Sequence, residues 1–455
     1  MNIEFKTGEN EFVLLTVFRL NTDQDQFELM TAENESWMKL ILEDNSFIIQ
    51  EQDNRISETE EDIRTKLDQL VLQVIEAEQS GTDINATDYT ETIQPFDPED
   101  IKVHAKQFSL RLISDMIDDK DIDLSPDFQR NLVWNNFQKS RLIESILLRI
   151  PLPMFYFSED GEGRITIVDG LQRISTIKDF MDNKFRLRNL EYLNDSCDGR
   201  YFKDEGTKKG LDPKYLRWFN QTQFSVNVID PSSPAKVKYD IFRRINTGGK
   251  PLNNQEIRNC LAGTGLRDTL RRMTELEEFK SATDYGIRPT RMEDQEVALR
   301  FILFHRYFEQ NNMQDYNGAM DNALDSLTED LYKSAQSELD HFVDLFKTAM
   351  MNAKYLLGQR YAFRKIRRGD IEPDAYKQLI NKALFVSLSV LLSSYDNELI
   401  RSKNEELQLL VPLASAIEDD HEFLNYLSYG TNGRSNLLYV FKKVQNLIVE
   451  NLTLV

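Results

Sequence analysis

Residues 164–180 read RITIVDGLQRISTIKDF, and a change of period inside this stretch decides how the middle of the chain is built. Arg164 to Val168 predicts a strand, Asp169-Gly170 a tight turn, and a helix begins near Leu171. A turn that feeds a helix start exposes unpaired backbone N–H groups, and the helix dipole adds about half a positive charge there. That geometry binds phosphate. Gly170 lets the backbone approach a ligand closely. Arg173, in the first helical turn, can fork onto two phosphate oxygens. Asp169 stands where a carboxylate holds Mg²⁺ through water or orients an attacking water. The same pattern also fits a plain strand-turn-helix with a surface arginine, so the local reading leaves two alternatives open.

On the N-terminal side, Ser140 to Arg149 places Leu142, Ile143, Ile146 and Leu147 on one helical face, and Pro151 and Pro153 stop that helix. Pro153 to Phe157 predicts a strand, joined to Arg164–Val168 by the polar loop Ser158–Gly163. On the C-terminal side, Thr222 to Ile229 alternates as a strand. Ser233-Pro234 starts a helix that runs to Ile245, and Asn253 with Glu256 opens the next. Residues 96–260 are therefore expected to form a mixed α/β domain. Residues 261–455 read as a large all-helical domain, with helical spacing over Gln295–Phe308, Ala335–Phe346, Tyr376–Leu392 and Ser435–Val449.

Residues 1–95 differ in kind. Phe12–Phe18, Trp37–Leu42 and Ser46–Ile49 suggest strands, and Ser57 with Glu60 has capping-box spacing. Ile63, Leu67, Leu70, Val71, Val74 and Ile75 then recur as an amphipathic helix, and Ser80 to Asp100 reads as a linker. The net charge of −21 is concentrated here: residues 1–100 hold 25 acids and 6 bases, leaving 51 acids and 49 bases in the other 355. A nearly neutral body can carry local basic patches, so acidity of the whole chain does not exclude nucleic acid. The expected class is α+β: a small acidic N-terminal module, a mixed α/β domain and a helical domain.

Several chemistries find no support. Cys197 and Cys260 make neither a disulfide scaffold nor a CxxC zinc site, which fits a reducing, cytoplasmic setting. The N-terminus MNIEFKTGEN has no signal-peptide pattern, and the longest apolar run, Ala383–Leu392, is about half of a membrane span, so no membrane partner is expected. His104, His305, His341 and His421 are scattered, which argues against an HNH nuclease and leaves no metal site to assign. No GxxxxGK[ST] loop is present. The most basic stretch, Arg360 to Arg368 (RYAFRKIRR), offers Arg360, Arg364, Lys365, Arg367 and Arg368 to nucleic acid; the alternative is a solvated helix end balanced by acids. A smaller cluster is Arg267, Arg271 and Arg272.

Three further clusters accompany VDGLQR: Pro126-Asp127-Phe128-Gln129-Arg130 with Trp134, KSRLIESILLRIPLP over residues 139–153, and FRRINTGGKPLNNQEIR over residues 242–258. Together they resemble the N-terminal domain family of GmrSD-type restriction enzymes, also found in the phosphorothioate-sensing SspE proteins, whose hallmark is DGQQR preceded by a P-x-FQR-x-x-x-W element. The resemblance extends through EDQEVALRFILF at residues 293–304 and Ile417–Phe441 with Gly430-Thr431, so it covers residues 100–450. It implies a fold related to ParB and sulfiredoxin, in which the matching turn binds nucleotide phosphates.

Carried over residue by residue, it assigns Asp169, Gly170, Gln172 and Arg173 to nucleotide handling, with Asp169, Gln172 and Arg173 as the catalytic candidates. Gln129 and Arg130 lie beside them, and Arg244 and Asn246 close the pocket. Bland roles stand against some positions: Phe128 and Trp134 as core, Arg244 as a cap on carbonyls, Glu256 as a helix cap, Glu144 as a solvated helix residue. The implied cofactor is a nucleoside triphosphate (GTP, ATP or CTP) with Mg²⁺. The implied partners are DNA and a nuclease or other defence protein of an anti-phage system. Leu171 stands where the family has glutamine and cannot hydrogen-bond a ligand, so turnover is left open. Two rival functions remain at this point: a non-catalytic DNA-binding or regulatory module, and a ParB-like nuclease.

Overall fold

The structure is a computed structural model that describes residues 2–7, 11–21, 26–31, 35–43, 46–80, 102–124, 134–233, 235–245, 252–311, 313–372, 374–428 and 431–454. The expected linker after Ser80 lies outside these, as do Pro126 to Arg130, Pro234 and Asn246. The chain divides into two compact units: residues 94–262, and residues 1–93 taken together with 263–455.

In the second of these, β1 (Asn2–Lys6), β2 (Phe12–Asn21), β3 (Gln26–Met30), β4 (Ser36–Glu43) and β5 (Ser46–Gln52) form an antiparallel meander in sequence order. Alternation puts Ile3, Phe5, Leu15, Phe27, Leu29, Met38 and Leu40 on one face, where they pack with Ile63, Leu67, Leu70 and Val74 of α1 (Glu60–Ser80). The start of α1 corrects the sequence reading. Thr59, not Ser57, caps it, its Oγ1 accepting from Asp62 N at 3.2 Å, while the Ser57 hydroxyl donates to the Lys6 carbonyl at 3.1 Å. Ser57 is thus drawn to the end of β1 by strand geometry that the capping spacing could not reveal.

The helical part of the same unit comprises α9 to α18, numbered after the eight helices that end with the other unit. They are Thr264–Glu275, Glu277–Ala282, Glu293–Glu309, Met320–Asp330, Gln336–Leu357, Lys382–Leu392, Asn397–Lys403, Leu410–Asp419, His421–Ser428 and Arg434–Asn451. Every residue of α14 from Ala383 to Leu392 is buried, as its unbroken apolar run requires. It starts at Lys382 rather than Tyr376 because Asn381 caps it, accepting from Leu384 N at 3.0 Å. No helix among the described residues is long and apolar enough to cross a membrane. In the first turn of α11, Asp294 is buried, and this pushes its pKa up to about 6. An acid with a raised folded pKa is stable when protonated, so its contribution is lost as pH rises from the ordinary carboxylate range through about 6. Carbon-13 NMR should place the Asp294 carboxyl midpoint near 6, and Asp294→Asn should flatten stability across that window; a midpoint near the usual aspartate value would overturn the assignment.

Residues 94–262 are built on a second five-stranded sheet of order β6-β10-β8-β9-β7: β6 (Val103–Ser109), β10 (Gln223–Ile229), β8 (Phe155–Glu159), β9 (Ile165–Asp169) and β7 (Ile122–Asp123). β8 and β9 are an antiparallel pair, β10 runs parallel to β8 and antiparallel to β6, and β7 runs parallel to β9. The helices are α2 (Leu110–Asp118), α3 (Asn136–Leu147), α4 (Leu171–Met181), α5 (Asn194–Cys197), α6 (Pro213–Gln221), α7 (Ala235–Ile245) and α8 (Asn254–Leu261). Their core centres on Phe155, Phe157, Ile167, Ile174, Ile177, Phe180, Phe219 and Val226. The two helix-initiation signals fare differently. Asn253 and Glu256 form the expected reciprocal box, each bond 2.7 Å. Helix α3 instead begins before Ser140, capped by Asn135 and Gln138.

Glu144 corrects a further expectation. It is 2 % exposed rather than solvated, and its carboxylate accepts main-chain N–H groups from Glu191 at 3.0 Å, Tyr192 at 2.7 Å and Leu193 at 2.9 Å. The 191–193 loop is thereby fixed to α3.

The candidate phosphate turn between β9 and α4

The backbone delivers what the period change predicts: β9 ends at Asp169, Gly170 takes φ 102° and ψ 9°, and α4 starts at Leu171. Only glycine adopts this left-handed geometry without strain. A second constraint is steric, because a Cβ at Gly170 would lie 2.3 Å from Cδ1 of the buried Phe155 ring. No side chain caps the start of α4, so its leading N–H groups are left to other acceptors.

Arg173 folds back over this turn. One guanidinium nitrogen donates to the Pro153 carbonyl at 2.5 Å; the other donates to the Met154 carbonyl at 3.3 Å and to Asp169 Oδ2 at 2.8 Å. The group lies 4.1 Å above the centre of the Phe155 ring, and its side chain is 12 % exposed. Burial pulls its pKa below the ordinary arginine value, against the opposing pull of Asp169. Guanidinium has five N–H donors, and these contacts commit three of them. Among the described residues two donors remain uncommitted, held in a plane fixed by carbonyls, carboxylate and ring.

The neighbouring candidates take distinct places. Gln172 is half-buried on the first turn of α4. Leu171 is 4 % exposed and packs in the core. Its side chain is therefore a packing group, and a ligand at the turn would meet its backbone. Helices α7 and α8 both pack against β9, the strand that bears Asp169. In the last turn of α7 Arg244 is exposed, while Arg243 is the arginine engaged in the fold, donating to Asn254 Oδ1 at 3.0 Å and to Asp240 Oδ1 at 3.4 Å. Trp134 is partly buried against the core. Gln129, Arg130 and Asn246 lie outside the described residues.

The sequence did not point to Pro153 and Met154, whose carbonyls seat Arg173, or to Phe155 beneath it. The available signal was the prolines just before a strand, since such a segment leaves carbonyls without ladder partners.

Most of the basic stretch in the other unit is drawn into the fold, and only Arg368, which opens the short 3-10 turn Arg368–Ile371, is exposed. Arg364 is 1 % exposed and donates to the Thr283 carbonyl at 2.7 Å, and Arg360 donates to the Ala375 carbonyl at 2.5 Å. Lys365 reaches Ser428 Oγ at 3.5 Å, and burial lowers the pKa of Arg367. Arg368 pairs with Asp419 and Glu418. Arg364 in particular has no path to a nucleic-acid backbone. Among the described residues no group of three or more His, Cys, Asp or Glu side chains could hold a metal ion. Both cysteines are buried, and burial pushes the Cys197 thiol up to about 11.

With this geometry established, comparison with protein-family models matches residues 113–262 to the GmrSD restriction endonuclease, N-terminal domain. The match runs from α2 through α8 and contains the β9–α4 turn. Comparisons with curated proteins and with solved structures find no match.

Proposed function

We propose, on the premise that residues 113–262 form a GmrSD-type N-terminal domain, that the chain is a nucleotide-binding component of a restriction or anti-phage defence system. Nucleotide occupancy of the Asp169–Arg173 turn would control engagement of DNA or of a nuclease partner. One observation carries the reading: a helix start without a side-chain cap and the Arg173 guanidinium, three of whose donors are engaged by described residues, meet at the same glycine turn. N–H groups and a fixed fork of positive charge are the chemistry that triphosphate oxygens require. The fold relation to ParB and sulfiredoxin belongs to this reading too. GTP, ATP and CTP are the ligands to test, with Asp169 as the group to meet Mg²⁺ when nucleotide draws Arg173 away from it. Gln129, Arg130, Gln172, Arg244 and Asn246 would line the same ligand.

A binding module without turnover is the second reading, and the Asp169–Arg173 pair at 2.8 Å favours it. A carboxylate neutralised by its own arginine is poorly placed to orient a water. Filter binding with radiolabelled GTP, ATP and CTP is expected to show saturable binding of one of them, weakened at least about tenfold by Arg173→Ala, the scale of losing a charge-assisted hydrogen bond. Melting curves must show the variant folded. Phosphate release abolished by Arg173→Ala would establish the enzyme; binding without release would establish the module. Failure of all three nucleotides to bind would sink both.

A further inference from the structure

The contact of α3 with α6 carries cations that no described carboxylate neutralises. Helix α3 ends in a reciprocal pair of main-chain bonds, Arg149 N to Ile146 O at 3.0 Å and Ile150 N to Ser145 O at 2.9 Å. The residue at this point of such a helix terminus must be left-handed, and glycine is the usual occupant. Here it is Arg149, with φ 58°. A side chain that holds a strained position is worth asking about, and this one does something definite. Its guanidinium lies 4.8 Å from the centre of the Trp218 ring on α6, which packs against α3. Lys214 Nζ lies 4.6 Å from the same ring, and Tyr215 meets that ring edge-on at 5.5 Å. Arg217 is exposed one residue before it.

The cluster lies in the nearly neutral part of the chain, where the residues beyond 100 hold 51 acids and 49 bases. On α3 and α4 the lysines are paired: Lys139 with Asp179, and Lys178 with Asp118 and Asp182. Arg149, Lys214 and Arg217 make no ion pair with any described carboxylate, and nearby Asp212 makes none with them. Trp218 instead fixes two of the cations by cation–π contact, which orients them without neutralising them. Fixed, exposed and uncompensated positive charges match a polyanion.

We infer that Arg149, Lys214 and Arg217, ordered by Trp218, form a contact surface for the phosphate backbone of duplex DNA. The inference rests on the DNA-engaging part of the proposed function but not on nucleotide binding. Such contacts are sequence-independent, and each neutralised phosphate adds about 0.9 to the salt dependence of log K.

Fluorescence anisotropy of the full chain with a short fluorescein-labelled duplex of unrelated sequence, titrated in salt without nucleotide, tests it. The triple variant Arg149→Gly, Lys214→Gln, Arg217→Gln should bind at least about tenfold more weakly at moderate salt, with a slope shallower by about two to three. Arg149→Gly alone should keep or raise the melting temperature, since glycine relieves the left-handed strain, yet weaken binding. A purely structural arginine would give no loss of affinity. The single reversal Lys214→Glu, at an exposed site, guards against misfolding of the triple variant and should weaken binding too. Unchanged affinity and slope in folded variants, or no salt-sensitive binding by the wild-type chain, overturns the surface. Nucleotide binding by the same preparations is read separately, so the two ideas fail independently.

Discussion

Gly170→Ala is expected to destabilise the 94–262 unit by about 2–5 kcal/mol, combining roughly 1–2 for a left-handed non-glycine residue with 1–3 for overpacking. The new Cβ would fall 2.3 and 2.8 Å from two carbons of Phe155. That ring cannot retreat. It is fully buried, its centre 4.5 Å from that of Phe224, and the Arg173 guanidinium covers its other side. Relief must come from the turn itself, which would displace Arg173 and expose the start of α4. Because the chain holds two units, a melting curve shows that a variant is folded but does not locate a loss of stability. Hydrogen exchange at residues 165–181 isolates the effect, and protection there should fall by at least about thirtyfold, the equivalent of about 2 kcal/mol. Wild-type protection in the variant would show that the turn tolerates a side chain, and the close approach of Gly170 to Phe155 would lose its significance.

Glu144→Ala should be nearly as severe, about 3 kcal/mol or more, because it strands three main-chain donors that face a buried carboxylate. Burial works against ionisation of Glu144, but the N–H groups of Glu191, Leu193 and Tyr192, with Arg141 nearby, outweigh it and hold the pKa below the ordinary glutamate value. The sign of the pH effect follows. A lowered folded pKa stabilises the protein fully above the unfolded value, and the contribution is lost as pH falls through the folded one. Denaturant titrations of wild type and Glu144→Gln should therefore differ most near neutrality and converge in acid. A gap that widens on acidification would contradict the assignment.

Local order was the legible part of this chain. The Asp169-Gly170 turn, the Asn253–Glu256 box and the buried run in α14 are all written within a few residues, where period and capping chemistry act directly. The two sheet edges were not seen. β6 buries only Phe108 and is held by main-chain pairing with β10, so its side chains carry no alternation to read. Glu144 looked solvated because its partners lie 47 to 49 positions away. Arg364 looked like part of a basic patch because its acceptor, the Thr283 carbonyl, is 81 residues off. The candidate site splits the same way. Asp169, Gly170 and Arg173 are local to one turn, whereas the carbonyls and ring that seat Arg173 come from the start of β8 and the two residues before it, beyond the reach of spacing rules.

The division of the chain has a consequence for how it is made. The meander of residues 1–52 is made before residues 94–262, yet it belongs to a unit whose larger part, 263–455, is made after them. Residues 94–262 are contiguous and can finish folding while the ribosome is still at work. Until residues 263–455 are made, the apolar face of the meander is covered by α1; Leu379 of that later segment then packs at its margin. The acidity of that opening segment suits the delay, since like charges keep nascent chains on one polysome from associating through their unfinished surfaces.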